Sequence, residues 1–294
     1  MDATLSVPIG LYEKALPADW PWEKRLEEAA RAGYNFVEIS IDESEGRLTR
    51  LDWPARERAA LRQAIANTGV PVMSMCLSGH RKYPLGSHSP ETRAQGLTIL
   101  RKAIEFAGDI GLRIVQVMGY DVFYETSDAQ TEACFMAGIE QGVRWASQAG
   151  VMLGLENLDT PFVASVRQAM RIVKTLDSPW FHLYPDMGNL AAAGYHPPDE
   201  LALAKGHLLA LHVKDARPKI IRGIPFGEGI VPFVETFKTL ARLNFCGPLA
   251  VELWGSMDHT GNLQSTAVTA RQFIEGLIAQ TWVNRPAIIM NSEL

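Results

Sequence analysis

The sequence predicts an α/β protein folded as a single (β/α)8 TIM barrel, and three observations carry that expectation. Eight short strand-like runs alternate with longer helical patterns from one end of the chain to the other. Within several runs one face is aliphatic and the other small or polar, which suits an outer helical layer and a crowded barrel interior. No Gly-x-Gly-x-x-Gly or P-loop pattern opens a helix, which weighs against an open, doubly wound sheet. At 294 residues, 47% hydrophobic, the chain can bury such a barrel as one domain spanning 1–294.

The first strand is expected over Ser6–Leu11, followed by a helix over Pro21–Ala32. Its opening proline lacks an N–H that the first helical turn does not need. The second strand, Asn35–Ile41, sets Phe36, Glu38 and Ser40 opposite Val37, Ile39 and Ile41, and Pro54 opens the next helix, to Asn67. Pro71–Leu77 and Arg113–Gly119 are the third and fourth strands, with helical spacing over Pro90–Gly108 and Gln130–Gln148. The fifth strand, Gly150–Glu156, puts Met152, Gly154 and Glu156 on one face, and a helix follows over Ser165–Leu176. In the sixth, Trp180–Pro185, His182 and Tyr184 lead inward to Asp186. The seventh, Leu208–Lys214, carries Ala210 and His212 inward, and the eighth, Pro248–Leu253, carries Ala250 and Glu252. The tail 281–294 is apolar enough to dock on the barrel or on a second subunit, and a homodimer is expected.

Composition narrows the function classes. With 28 basic against 33 acidic residues and a net charge of −5, the chain lacks the basic footprint of a nucleic-acid binder. Cys76, Cys134 and Cys246 form no Cys-x-x-Cys pair and are expected as reduced thiols. The N-terminus has neither the basic start nor the apolar stretch of a signal peptide. The most apolar stretch, Leu201–Val213, is broken by Lys205, Gly206 and His207, far short of a membrane span. A soluble cytoplasmic protein is expected.

Four runs in the second half end in metal-capable side chains: Glu156, Asp186, His212 and Glu252, spaced 30, 26 and 40 residues apart. That interval fits a strand, a helix and two loops, so all four fall at barrel strand ends, where active sites of this fold gather. Three carboxylates and one imidazole suit Mn²⁺ or Mg²⁺, with Co²⁺ or Zn²⁺ as further options. The competing reading is an internal salt-bridge network with Lys214, Arg217 or Arg222. Glu156 and Glu252 come from non-adjacent strands and can face a substrate from opposite sides. Removing a proton beside a ketone builds charge on oxygen, which a divalent cation stabilises. A carboxylate on one face can take the proton and one on the other return it, giving an epimer; one base serving both carbons gives an aldose–ketose isomerase.

Candidates for an anionic group are His80, Arg81, Lys82, Lys214, Arg217, Lys219 and Arg222, with the Gly227-Glu228-Gly229 turn. Arg222 and the turn follow the seventh strand, where phosphates often bind in such barrels, and His80–Arg81 follow the third. Tyr12, Glu38, Gln116 and Asn189 lie at or near other strand ends, as sugar contacts or as packed wall.

The segments GLYEKALP, FVEISIDES, GRLTRLDW, SMCLSGHRKYPLGS, LYPDMGNL, LHVKDARP and IPFGEG resemble the L-ribulose-5-phosphate 3-epimerases, also called L-xylulose-5-phosphate 3-epimerases. The resemblance runs from about Ile9 to Trp254 and places the chain among xylose-isomerase-like barrels, with D-tagatose and D-psicose 3-epimerases as relatives. It implies a divalent metal, manganese first, at Glu156, Asp186, His212 and Glu252. It also implies 3-epimerisation of L-ribulose 5-phosphate and L-xylulose 5-phosphate, usually in L-ascorbate breakdown, with the two glutamates as acid and base. After His-Val-Lys-Asp the chain reads Ala216-Arg217-Pro218-Lys219, where the family tends to have Thr-x-Pro-Gly. The same barrel also serves sugar isomerases, free-ketose epimerases and polyol dehydratases, and a non-catalytic sugar-phosphate binder is a further class. The histidine-rich trinuclear zinc site of related DNA-repair endonucleases is not matched, since only His212 stands among the four ligands.

Overall fold

Apolar runs of the kind described become eight parallel strands in a computed structural model that describes residues 7–282. They are β1 Ile9–Tyr12, β2 Phe36–Ser40, β3 Val72–Leu77, β4 Ile114–Met118, β5 Met152–Glu156, β6 Phe181–Leu183, β7 Leu211–Val213 and β8 Leu249–Val251. All are shorter than their runs, the last three most of all. Pro185 and Pro248 have no N–H to give a ladder, so pairing stops beside them.

The strands pair in the order β6-β5-β4-β3-β2-β1-β8-β7. The two ends of that order meet through single parallel bridges, Leu183 with Leu208 and Asp186 with His212. Three hydrogen bonds sew this seam: Leu183 N to His207 O at 2.9 Å, Leu209 N to Leu183 O at 2.8 Å and His212 N to Pro185 O at 2.9 Å. The barrel is closed, and two of the four metal-capable residues sit directly across its seam.

The outer layer comprises α1 Trp22–Arg31, α2 Glu45–Leu48, α3 Ala55–Thr68, α4 Pro90–Ile110, α5 Ala129–Ala149, α6 Val166–Leu176, α7 Met187–Ala192, α8 Pro197–Ala202, α9 Phe233–Arg242 and α10 Leu263–Thr281. Ser89, Asp128 and Ser165 cap α4, α5 and α6 through their side chains, satisfying backbone donors that each helix start leaves free. Pro21 and Pro54 stand one position earlier than expected, as the residues before α1 and α3.

The inward and outward faces follow the alternation in the sequence. Val37, Ile39, Leu153, Leu155, Leu211 and Val251 join the aliphatic core under the helices. Phe36, Ile114, Tyr184, Ala210 and Ala250 fill the barrel interior. Gly154 is required there, because a Cβ would lie 2.7 Å from that of Tyr184. The floor is therefore plugged by side chains, and polar groups collect above it. Among the described residues no helix is long and apolar enough to cross a membrane. Of the expected tail 281–294, Thr281 ends α10 and Trp282 Nε1 donates to Phe237 O at 2.8 Å; the rest lies outside the described residues.

Candidate active site

Glu156 ends β5, His212 is the middle residue of β7, and Glu252 directly follows β8. Asp186 caps α7, its Oδ1 accepting from Asn189 N at 2.8 Å, while its own N–H is held by Asn157 Oδ1 at 2.9 Å. All four are buried, and one donor atom from each lies within 4.8 Å of the others.

The two nitrogens of His212 face different neighbourhoods. Nδ1 lies 3.1 Å from Glu252 Oε2, 3.4 Å from Glu156 Oε1 and 3.7 Å from Asp186 Oδ2. Nε2 lies 2.5 Å from Glu38 Oε1, whose second oxygen accepts from Tyr184 OH at 2.6 Å and Ser74 Oγ at 2.7 Å. A carboxylate behind a histidine fixes the ring and leaves the opposite nitrogen as the ligand. Glu38 is thus the backing of His212, which realises the packed-wall alternative rather than the sugar contact.

The electrostatics are unbalanced. Four buried carboxyl groups, Glu38, Glu156, Asp186 and Glu252, face one imidazole and the Lys214 ammonium. Lys214 Nζ sits 2.8 Å from Asp186 Oδ2 and 3.1 Å from Glu252 Oε2. Burial pushes Glu156 up to about 7, which His212 only partly offsets. Burial acts the same way on Glu252, but Lys214 and His212 outweigh it and hold that carboxyl well below its usual range. Burial disfavours the charged ring of His212, yet Glu38 and its neighbours raise it well above the ordinary value. The internal salt-bridge reading is realised in Lys214 alone: Arg217 pairs with Glu228 at 3.6 Å, and Arg222 lies over the Trp254 ring at 4.4 Å. Three carboxylates and one imidazole nitrogen, with more negative charge than the side chains neutralise, fit a divalent cation.

Above the donors is a small pocket of about 40 Å³, walled by Tyr12, Cys76, Asn189 and Trp254. A cavity of about 350 Å³ adjoins it, and Lys214, Ile221, Arg222, Glu252 and Trp254 belong to both. Tyr12 OH donates to Ser40 Oγ at 3.0 Å, and Asn189 Nδ2 reaches Asn157 O at 3.0 Å while its Oδ1 has no partner. Arg81 borders the small pocket with its guanidinium 4.7 Å from the Phe123 ring.

His80 is not brought to the site. It is buried with Nε2 3.1 Å from Gly96 O, and burial lowers its pKa to about 4, so it offers an anion no charge. The Gly227-Glu228-Gly229 turn borders the larger cavity through Glu228, but both its glycine N–H groups go to Asp215. Lys14 and Trp254 are pocket residues that the sequence reading missed. Trp254 was signalled by the period of two that follows inward-facing Glu252; Lys14 stands in the same relation to Tyr12, two residues past the end of β1.

Fold and site together define a closed parallel barrel with a buried set of metal-capable donors at its strand ends. The sequence matches the xylose isomerase-like TIM barrel family over residues 26–275. It is 44% identical over 274 residues to the L-ribulose-5-phosphate 3-epimerase UlaE of Salmonella paratyphi A, spanning 93% of this chain and 96% of that one. Identity to the protein of that name from Escherichia coli (strain SMS-3-5 / SECEC) is 48% over 248 residues, 84% of this chain and 87% of the other. The chain belongs to the xylose isomerase-like TIM barrel family and, within it, to the L-ribulose-5-phosphate 3-epimerases. The fold is shared with a solved L-ribulose 3-epimerase (TM-score 0.77, 18% identity, 98% of this chain and 100% of that one). It is likewise shared with a D-psicose 3-epimerase solved in the presence of D-fructose (TM-score 0.78, 16% identity, 94% and 100%).

Proposed function

We propose that this chain is a divalent-metal-dependent 3-epimerase, manganese first among the ions, that interconverts L-ribulose 5-phosphate and L-xylulose 5-phosphate. The observation that carries the reading is the placement of Glu156 and Glu252, from separate strands, 3.4 Å and 3.1 Å from His212 Nδ1 in one buried donor set. Glu156, Asp186, His212 and Glu252 are the residues to hold the ion, which supplies stabilisation for charge building on the ketone oxygen.

The protein's own groups handle the proton. One glutamate withdraws it from C3 of one epimer and the other returns it on the opposite face. The opposed shifts of the two carboxyls, Glu156 up and Glu252 down, support a division into acid and base. Two flanking carboxylates favour epimerisation over aldose–ketose isomerisation, in which a single base shuttles the proton between neighbouring carbons. The plugged barrel floor and the narrow donor pocket restrict water around the reacting carbon.

In this reading Lys214, Asn189 and Tyr12 meet the sugar and Arg81 and Arg222 its anionic end, supported by their all lining the donor pocket, as Lys14 also does. As part of the same proposal, the enzyme works in the cytoplasm as a homodimer serving L-ascorbate breakdown.

The test is NMR of L-ribulose 5-phosphate with Mn²⁺-loaded protein in D₂O. Deuterium entering C3 together with L-xylulose 5-phosphate is the expected result. Exchange at C1 with formation of an aldose would replace the epimerase by an isomerase.

A further inference from the structure

The sequence reading gives the Gly227-Glu228-Gly229 turn to an external anion; the structure supplies an internal one. Asp215 is 2% exposed, and its carboxylate accepts four backbone N–H groups. Oδ1 takes those of Ala216 at 2.8 Å and Val231 at 3.3 Å, and Oδ2 takes those of Gly227 and Gly229, both at 2.9 Å. The approach is so close that a Cβ on Gly229 would lie 2.1 Å from Asp215 Oδ1 and 2.3 Å from Ala216 O.

One buried carboxylate therefore ties both ends of the loop 216–231 to the top of β7. Ile221, Arg222, Gly223, Ile224 and Pro225, in the middle of that loop, wall the larger cavity. Arg222 lies on Trp254, whose Nε1 donates to Glu252 Oε1 at 2.8 Å. The path from Asp215 runs through the loop to Arg222 and ends beside the donor set. Asparagine at 215 would present an amide where two N–H donors now meet an oxygen, leaving at least one of them without an acceptor.

We propose that Asp215 is a positioning residue for the reaction, acting through the loop after β7 to hold Arg222 in the wall of the substrate cavity. The inference rests on the reading of that cavity as the substrate site. Its test therefore has two arms on the metal-loaded protein, one of them independent of turnover.

In the first, hydrogen exchange of residues 216–231 is compared between wild type and Asp215→Asn. Exchange should quicken in the loop and stay unchanged in the strands. In the second, Asp215→Asn and Gly229→Ala, which strike the same contact from opposite sides, should each raise KM for L-ribulose 5-phosphate about 10-fold. Both should keep kcat within about 3-fold and bind metal as wild type does. In an Arg222→Ala background, Asp215→Asn should add little to KM, because both substitutions then remove one interaction. Unchanged loop exchange, an unchanged KM, full additivity with Arg222→Ala, or kcat and metal content falling together would each overturn the assignment. If wild-type protein turns over no ketose phosphate, the proposed function fails, and loop exchange alone decides the structural role of Asp215.

Discussion

Two buried charge clusters stand at the same barrel mouth, and they are built with opposite balances. Around Glu13, one carboxylate meets three guanidinium groups: Arg25 at 3.2 Å, Arg47 at 3.2 Å and Arg50 at 2.7 Å, with Ser40 N adding a further donor at 2.9 Å. Around His212, four carboxyl groups meet one imidazole and one ammonium. Apart from the half-buried Arg47, the groups of both are shielded from water, so neither imbalance is fully screened by solvent. The Glu13 cluster joins the β1 loop to α1 and to the α2 segment, and its carboxylate is saturated by its own chain. The His212 cluster leaves negative charge over, as a site built to receive a cation must. Burial with surplus charge of the right sign, rather than burial of charge as such, separates the working centre from the framework.

The sharpest way to separate them is to remove the ion. Chelation should abolish epimerisation reversibly. Glu156→Gln and Glu252→Gln should each lower kcat by about 10³-fold, seen by following product formation by NMR. Near-normal turnover in both variants would break the comparison at its working end. Glu13→Gln should act on the other cluster by leaving its arginines without their carboxylate. A loss of about 3–5 kcal/mol, read as a drop in Tm of roughly 10 °C, is expected, with metal affinity kept. If Glu13→Gln instead weakened metal binding and spared Tm, the two clusters would not be independent.

Glu38→Gln is a milder probe. It removes the charge behind His212 without touching a donor, so metal affinity should fall about 10- to 100-fold in a direct titration. The smallest effect belongs to an exposed counterpart, where His88 lies 3.0 Å from Asp128 and 3.2 Å from Glu125. Hydrogen bonds to Asp128 and Glu125 raise its pKa. Its contribution is therefore complete below the unfolded-state value near ~6.5 and fades as pH rises through the raised folded one. The Tm difference between wild type and His88→Ala should accordingly be small and shrink between pH 6 and pH 9.

The strands and donor quartet were legible in the sequence because both depend on periods along one chain. Alternation placed Phe36, Ala210 and Ala250 inside and Val37, Leu211 and Val251 outside, and the same parity brought Glu156, His212 and Glu252 to one mouth. What escaped depends on the pairing of distant segments. Glu38 meets His212 across 174 residues, and nothing local distinguishes it from a sugar contact. His80 sits in a basic triplet that suggests charge, yet its burial decides its state, with the carbonyl of Gly96 on α4 only partly opposing. Arg47 and Arg50 carry no local mark of a buried role; only the fold turns them onto Glu13.

The seam between β6 and β7 ties the shape of the barrel to its chemistry. Seven neighbouring strand pairs are laced by ladders, but this eighth junction has only two isolated bridges, and one of them joins Asp186 to His212. Two of the four residues that could hold an ion are thus residues that fasten the hoop. Their spacing is set by the pitch of adjacent strands rather than by flexible side chains. A substitution that loosened the fastening would detune the site even with every ligand intact, and an ion gripped across it would act as the clasp.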